Sequence, residues 1–232
     1  MARAIPDTRF RDLVRAATDV FIAQGYRRTQ MADVAEAMGL AKGTLYLYVE
    51  SKEALFDLIA RNVDREGPIE VPAALPVPTP RPGATIEYVA RTLAERQGFP
   101  ALTEALARRR PGNVRSEFET ILRELYATLS RNRNGLKLID RCAPDYPDLA
   151  ALWFERGREF LLGLIAEYLR HRERRLKPLP DRAVAARLVL ETLVFWAVHR
   201  HWDPAPQQVD DEAAQDTVIA FLLAALVKDR SP

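Results

Sequence analysis

"TQMADVAEAMGLAKGTLYLYVESKEAL", Thr29 to Leu55, is the stretch on which the fold turns. Met31, Val34, Ala35 and Met38 recur at helical steps of three and four behind Thr29, a predicted N-cap, and the pattern stops at Gly39. A second helix is expected from Ala41 or Lys42 to Tyr48, with Leu45 and Val49 facing inward. Ser51 then caps a third that carries Leu55, Leu58, Ile59 and Val63. Each is too short to stand alone in water, so they must pack on one another.

Upstream, Phe10, Leu13, Val14, Ala17 and Phe21 mark another amphipathic helix that ends at Gly25. Downstream of Glu66 lies "GPIEVPAALPVPTPRPGA", with six prolines in eighteen residues, a composition that favours extended polyproline conformation. A domain boundary is expected there. The chain is read as residues 1–66, a proline-rich linker 67–84, and a larger helical domain 85–232. Helices are expected at about 85–97, 101–110, 114–132, 148–176, 182–202 and 210–228. No segment alternates at period two, so the predicted fold class is all-α.

At 232 residues and 48% hydrophobic, the chain buries a sizeable core. Its single cysteine, Cys142, forms no intramolecular disulfide, and "MARAIPDTRF" has no apolar run of the signal-peptide kind. The longest apolar run, "VIAFLLAALV" from Val218 to Val227, has ten residues, about half a bilayer crossing. A cytoplasmic protein without a membrane span is expected. No nucleotide-loop, nucleophile-elbow or zinc-helix motif is present, so no catalytic residue, metal or cofactor is expected. His199 and His201, two apart on a helix, point to nearly opposite faces and are read as structural. The basic runs Arg170–Lys177 and Ala107–Gly112 are read as solvated helix ends.

Two short helices around a glycine-containing turn are the outline of a helix-turn-helix, whose second helix enters the major groove of DNA. Bulk charge does not decide the matter. The net charge is +2, and Met1–Glu66 holds ten Lys or Arg against ten Asp or Glu, a balance of zero. Placement has to carry the inference. Away from Leu45 and Val49, the second helix presents Lys42, Gly43, Thr44, Tyr46, Leu47 and Tyr48. Hydroxyls and phenols bond phosphate oxygens, a lysine meets a phosphate or a guanine edge, and a glycine lets backbones approach.

The resemblance goes beyond the outline. Ala16 and Ala17, Phe21, Gly25-Tyr26, Thr29, Val34-Ala35, Gly39, Lys42-Gly43-Thr44-Leu45-Tyr46, Tyr48 and Ser51-Lys52-Glu53 with Leu55 resemble the DNA-binding domain of the tetracycline-repressor (TetR) family. That resemblance implies a homodimeric transcriptional regulator, usually a repressor, on a palindromic operator. It places Lys42, Thr44, Tyr46 and Tyr48 on the recognition helix and Lys52 at a phosphate. Thr29 and Gln30 begin the preceding helix, also phosphate-facing. Ala41 departs from a frequent capping Ser, Val49 from a frequent Phe, and Gln30 from a hydroxyl residue.

The last two helices are apolar almost all round, which implies cover on every side. Family and periodicity together suggest a dimer interface there, with Leu190, Leu193, Val194, Phe221, Leu222 and Leu226 as its expected residues. The resemblance also implies an effector pocket between about 85 and 176. Expected lining residues are Phe118, Leu122, Tyr126, Trp153 and Phe154, suited to a small, largely apolar molecule.

Overall fold

The computed structural model describes residues 7–65, 67, 69, 72, 74–96, 98–108, 112–205 and 208–228. In chain order the first helices are α1 (Asp7–Gln24), α2 (Met31–Ala37), α3 (Lys42–Leu45), α4 (Lys52–Asn62), α5 (Ala84–Arg96) and α6 (Pro100–Ala107). There follow α7 (Val114–Arg131), α8 (Arg133–Cys142), α9 (Pro147–Ala150), a π-helical stretch Ala151–Arg158, α10 (Glu159–His171), α11 (Arg182–Ala197) and α12 (Asp211–Leu226). Among the described residues there are no strands, only isolated bridges pairing Val49 with Val77 and Leu176 with Val227. The chain is all-α, as its periodicity predicts.

Contacts divide the chain into two compact units, Met1–Arg96 with Asn134–Phe154, and Gln97–Arg133 with Glu155–Pro232. The division does not follow the expected boundaries at 66 and 85, because α5 and the segment from 134 to 154 pack with the N-terminal helices. On α5, the Thr85 hydroxyl donates to Asp57 Oδ1 at 2.9 Å, and the Tyr88 ring lies 4.4 Å from the Arg61 guanidinium. From the later segment, Arg141 donates to the carbonyls of Ile22 and Ala23 at 2.9 and 3.1 Å, capping the end of α1. Asp145 Oδ2 accepts from the Arg27 amide at 2.9 Å. An aromatic cluster completes the seam: Tyr26 stands 5.0 Å from Phe56 and 4.8 Å from Tyr146.

Helix α8 occupies the stretch between the expected helices 114–132 and 148–176, where no helix is expected. The Gly135 amide donates to Asp64 Oδ2 at 2.9 Å, so a carboxylate 71 residues earlier satisfies one of the open amides of the first turn. A β-carbon there would lie 2.3 Å from that oxygen, so glycine marks a close approach rather than an interruption.

In the second unit α6, α7, α10, α11 and α12 pack together. Asp181 and Asp210 cap α11 and α12, each accepting from two backbone amides. The expected helix 182–202 ends at Ala197 and tightens into a 3₁₀ turn, His199–Trp202, where Arg200 Nε donates to the Trp196 carbonyl at 2.9 Å. The expected helix 148–176 is broken by the π-helical stretch and closes at His171. Within the basic run 170–177, Arg172 is not solvated. It is 2% exposed, with Nε donating to Glu117 Oε1 at 2.7 Å and an Nη donating to the Ala105 carbonyl at 2.6 Å. It ties α10 to α6 and α7.

Candidate nucleic-acid interface

Three buried side chains set the geometry of the helix pair. Leu45 and Val49 are fully buried, and Val34 of α2 meets the same core. Between the helices, Gly39 has φ +64°, a left-handed conformation that favours glycine, and the Leu40 amide donates back to the Ala35 carbonyl at 2.8 Å. Helix α3 is a single turn. It continues as tighter turns, with the Leu47 amide donating to Thr44 O and the Tyr48 amide to Leu45 O at 3.1 and 3.0 Å. Ala41 supplies no side-chain cap, as its composition predicts.

Lys42, Gly43, Tyr46 and Leu47 are exposed on this short helix and Thr44 is half-exposed; Leu47 keeps 63% of its surface. They form one continuous lysine, hydroxyl, phenol and apolar surface, with Gly43 leaving room for close approach. Tyr48 does not share it. Its residual exposure is 7% and its ring lies 6.0 Å from that of Phe10, so Tyr48 belongs to the core of the bundle. Spacing contains the signal, because Tyr48 follows Leu45 by three and therefore shares its inward face.

At the start of α2 the N-cap is Gln30, not Thr29. Thr29 is buried, and its hydroxyl donates to the Gly25 carbonyl at 2.7 Å, a structural bond that leaves no free face for a phosphate. Gln30 is exposed, and its amide is taken by Asp33 Oδ2 at 2.8 Å. Lys52 is half-buried. Its Nζ donates to the Arg27 carbonyl at 3.3 Å and sits 4.7 Å from the Tyr26 ring centroid, and burial lowers its pKa against the pull of Glu53 and Asp145. Ser51 caps α4 as expected, accepting from the Ala54 amide at 3.1 Å. Arg27 and Arg28, both exposed just before α2, carry positive charge not singled out from the sequence. Their signal is position: two guanidinium groups at the entry to a helix N-terminus, where anions are favoured.

A helix-turn-helix with an exposed, hydroxyl-rich second helix defines a DNA-binding module. Residues 13–59 match the family model described as "Bacterial regulatory proteins, tetR family". Over 55 residues the chain is 34% identical to the uncharacterized HTH-type transcriptional regulator YvdT of Bacillus subtilis (strain 168); the match spans 24% of this chain and 28% of that protein. The ketosteroid transcriptional regulator KstR2 of Mycobacterium tuberculosis shares the fold across 99% of this chain and 100% of its own, with a TM-score of 0.56 at 14% identity. Residues 13–59 are thus similar to the DNA-binding domain of TetR-family transcriptional regulators, and over the rest of the chain the likeness is one of fold. Among the described residues no helix is long and apolar enough to cross a membrane.

The other expected sites fare differently. Phe118, Leu122 and Tyr126 are core residues of the second unit: Phe118 stacks 5.2 Å from Tyr168, and the Tyr126 hydroxyl donates to the Trp196 carbonyl at 3.2 Å. Trp153 and Phe154 belong to the first unit and are half-buried. A depression of about 660 Å³ in the second unit is lined by Ala166, Glu167, Arg170 and the segment Leu179–Ala183, none of them an expected pocket residue.

For the expected interface, Leu190, Leu193, Leu222 and Leu226 turn into their own unit and are buried, Val194 is half-buried, and only Phe221 is exposed. The exposed apolar side chains are instead Val184, Leu188 and Phe195 on α11 with Phe221 on α12. A helix apolar all round has no phase in its sequence. Packing chooses which stripe faces inward.

Proposed function

We propose that this regulator is a ligand-responsive repressor that binds a palindromic operator as a homodimer. The observation that carries the DNA half is the α3 surface. Lys42, Thr44, Tyr46 and Leu47 project from a turn anchored by Leu45 and Val49, with Gln30, Arg27 and Arg28 flanking it for phosphates. Because the first 66 residues have no net charge, sequence-specific contacts rather than bulk attraction have to supply the selectivity.

The dimer half rests on Val184, Leu188, Phe195 and Phe221. On α11 the spacing of four and seven puts the first three on one face, and Phe221 keeps 66% of its surface exposed on α12. A second copy applied about a two-fold axis covers that face with itself. Two recognition helices then meet successive major grooves roughly 34–36 Å apart, or a multiple of it. Footprinting a selected operator tests this reading: protection of two half-sites at that spacing supports it, and a single protected half-site bound by a monomer overturns it.

The effector is a small, largely apolar molecule taken up by the helices between 85 and 176, which loosens the operator complex. It does so only by binding one arrangement of the protein better than the other, and operator DNA then weakens effector binding by the same factor. Calorimetry with a validated inducer, on free and operator-bound dimer, checks that reciprocity.

A further inference from the structure

Residues 77–79 of the proline-rich segment dock on the turn that follows α3. Val77 forms a two-sided bridge with the turn after α3: its amide donates to the Tyr48 carbonyl at 2.8 Å, and its carbonyl accepts from the Glu50 amide at 3.0 Å. Two residues on, the Thr79 amide donates to Glu50 Oε2 at 2.8 Å. The Thr79 hydroxyl lies 2.8 Å from Ser51 Oγ, the same oxygen that caps α4. Four contacts thus converge on Tyr48, Glu50 and Ser51, within the only backbone joining α3 to α4. At its far end the segment is secured where Arg81 pairs with Glu87 and Gly83, at φ +82°, turns the chain into α5.

The reading helix needs such support. Its four helical residues are too few to hold themselves, and Ala41 leaves its N-terminus without a side-chain cap. Prolines suit the supporting element. Pro76, Pro78, Pro80 and Pro82 restrict the unfolded chain, so ordering the segment costs less, and they carry no amide with which a neighbouring strand could extend the bridge. The intervening residues Val77 and Thr79 are the ones that bond to the turn.

We propose that residues 74–83 form a strap that sets the position of α3, with Val77 and Thr79 as positioning residues for sequence-specific DNA recognition. This rests on α3 being the DNA-reading helix, as proposed above. The strap bonds to Tyr48, Glu50 and Ser51, none of them among the exposed residues of α3, so its loss disturbs base contacts while leaving the phosphate-facing cations in place.

The test compares wild type with Thr79→Val, which removes the hydroxyl at nearly constant volume, and Val77→Pro, which removes the amide donor. Affinity is measured for a genomically selected operator and for a scrambled duplex of equal length, over a salt series. Hydrogen exchange is followed on the peptide spanning residues 46–55, and circular dichroism confirms folding. The expected result is faster exchange in that peptide and a specificity ratio reduced about ten-fold or more, with scrambled-duplex affinity and salt slope unchanged. Faster exchange with an unaltered ratio would overturn the positioning role and leave the strap as packing alone. Unaltered exchange in both variants would overturn the bracing itself. If wild type showed no preference for any duplex, the DNA-reading proposal would fail instead, and the exchange data would still decide whether the strap braces the turn. Should Val77→Pro not fold, Thr79→Val carries the comparison.

Discussion

Replacing Leu188 by Arg separates subunit association from folding. Leu188 keeps 61% of its surface exposed in the single chain, so the substitution itself perturbs no intrachain core. Burying a whole leucine side chain is worth about 1.5–3 kcal/mol, and three-fifths of that is about 1–2 kcal/mol. A two-fold axis counts the contact twice, for a loss of about 2–4 kcal/mol before any cost of burying the guanidinium. The dimer dissociation constant therefore rises roughly 30- to 1,000-fold. Sedimentation equilibrium over a dilution series reads the change directly, and circular dichroism should show the helical content intact. Leu193, five residues away and fully buried, is the control: Leu193→Arg puts a charge into the core of the unit and gives misfolded or aggregated protein rather than a soluble monomer. A Leu188→Arg protein that dimerised as tightly as wild type, with its fold intact, would refute the placement of the interface on this face.

Three further outcomes follow from the second unit and the reading helix. Glu117→Ala strands Arg172 in the core and costs about 3–5 kcal/mol, seen as a melting temperature lowered by roughly 6–20 °C, whereas replacing both partners with apolar residues recovers most of it. His201 is held down to about pH 4, first by burial and then by Arg133 and Arg200, with Asp211 3.8 Å away. Because its folded pKa lies below the ordinary value, its contribution to stability is complete above about pH 6.5 and is lost as pH falls toward 4; His201→Phe should flatten that slope in pH-dependent unfolding. Tyr46→Phe should weaken operator and scrambled duplex alike if the phenol bonds a phosphate, and a loss confined to the operator would assign it to a base edge instead.

Legibility in the sequence followed the range of the interactions. The ends of α1, α2 and α4 were marked by residues acting on their own neighbours, namely Gly25, Gly39 and Ser51. Helix α8 was missed because the carboxylate that receives one of its first-turn amides, Asp64, lies 71 residues earlier, in the turn after α4. Arg172 stands among five other basic residues between Arg170 and Lys177, and composition does not distinguish the one whose partner, Glu117, lies 55 residues back. At the candidate interface, pattern placed Lys42, Gly43, Tyr46 and Leu47 on an outward face, and the structure leaves them exposed with Thr44 half-exposed. Thr29 and Tyr48 were misplaced although local spacing held the correction: Thr29 reaches the Gly25 carbonyl four residues back, and Tyr48 shares the face of Leu45. The proline composition excluded a helix at 67–84 but said nothing of where the segment docks, since backbone hydrogen bonds leave no trace in side-chain pattern.

The most direct measurement is selection of genomic fragments by the full-length protein, carried out in parallel with wild type and Lys42→Ala. Sequence recognition by α3 predicts that wild-type fragments share one palindromic motif and that Lys42→Ala weakens binding and relaxes the preference at one position in each half-site. Fragments sharing no motif, bound with an affinity that follows salt concentration alone, would contradict it.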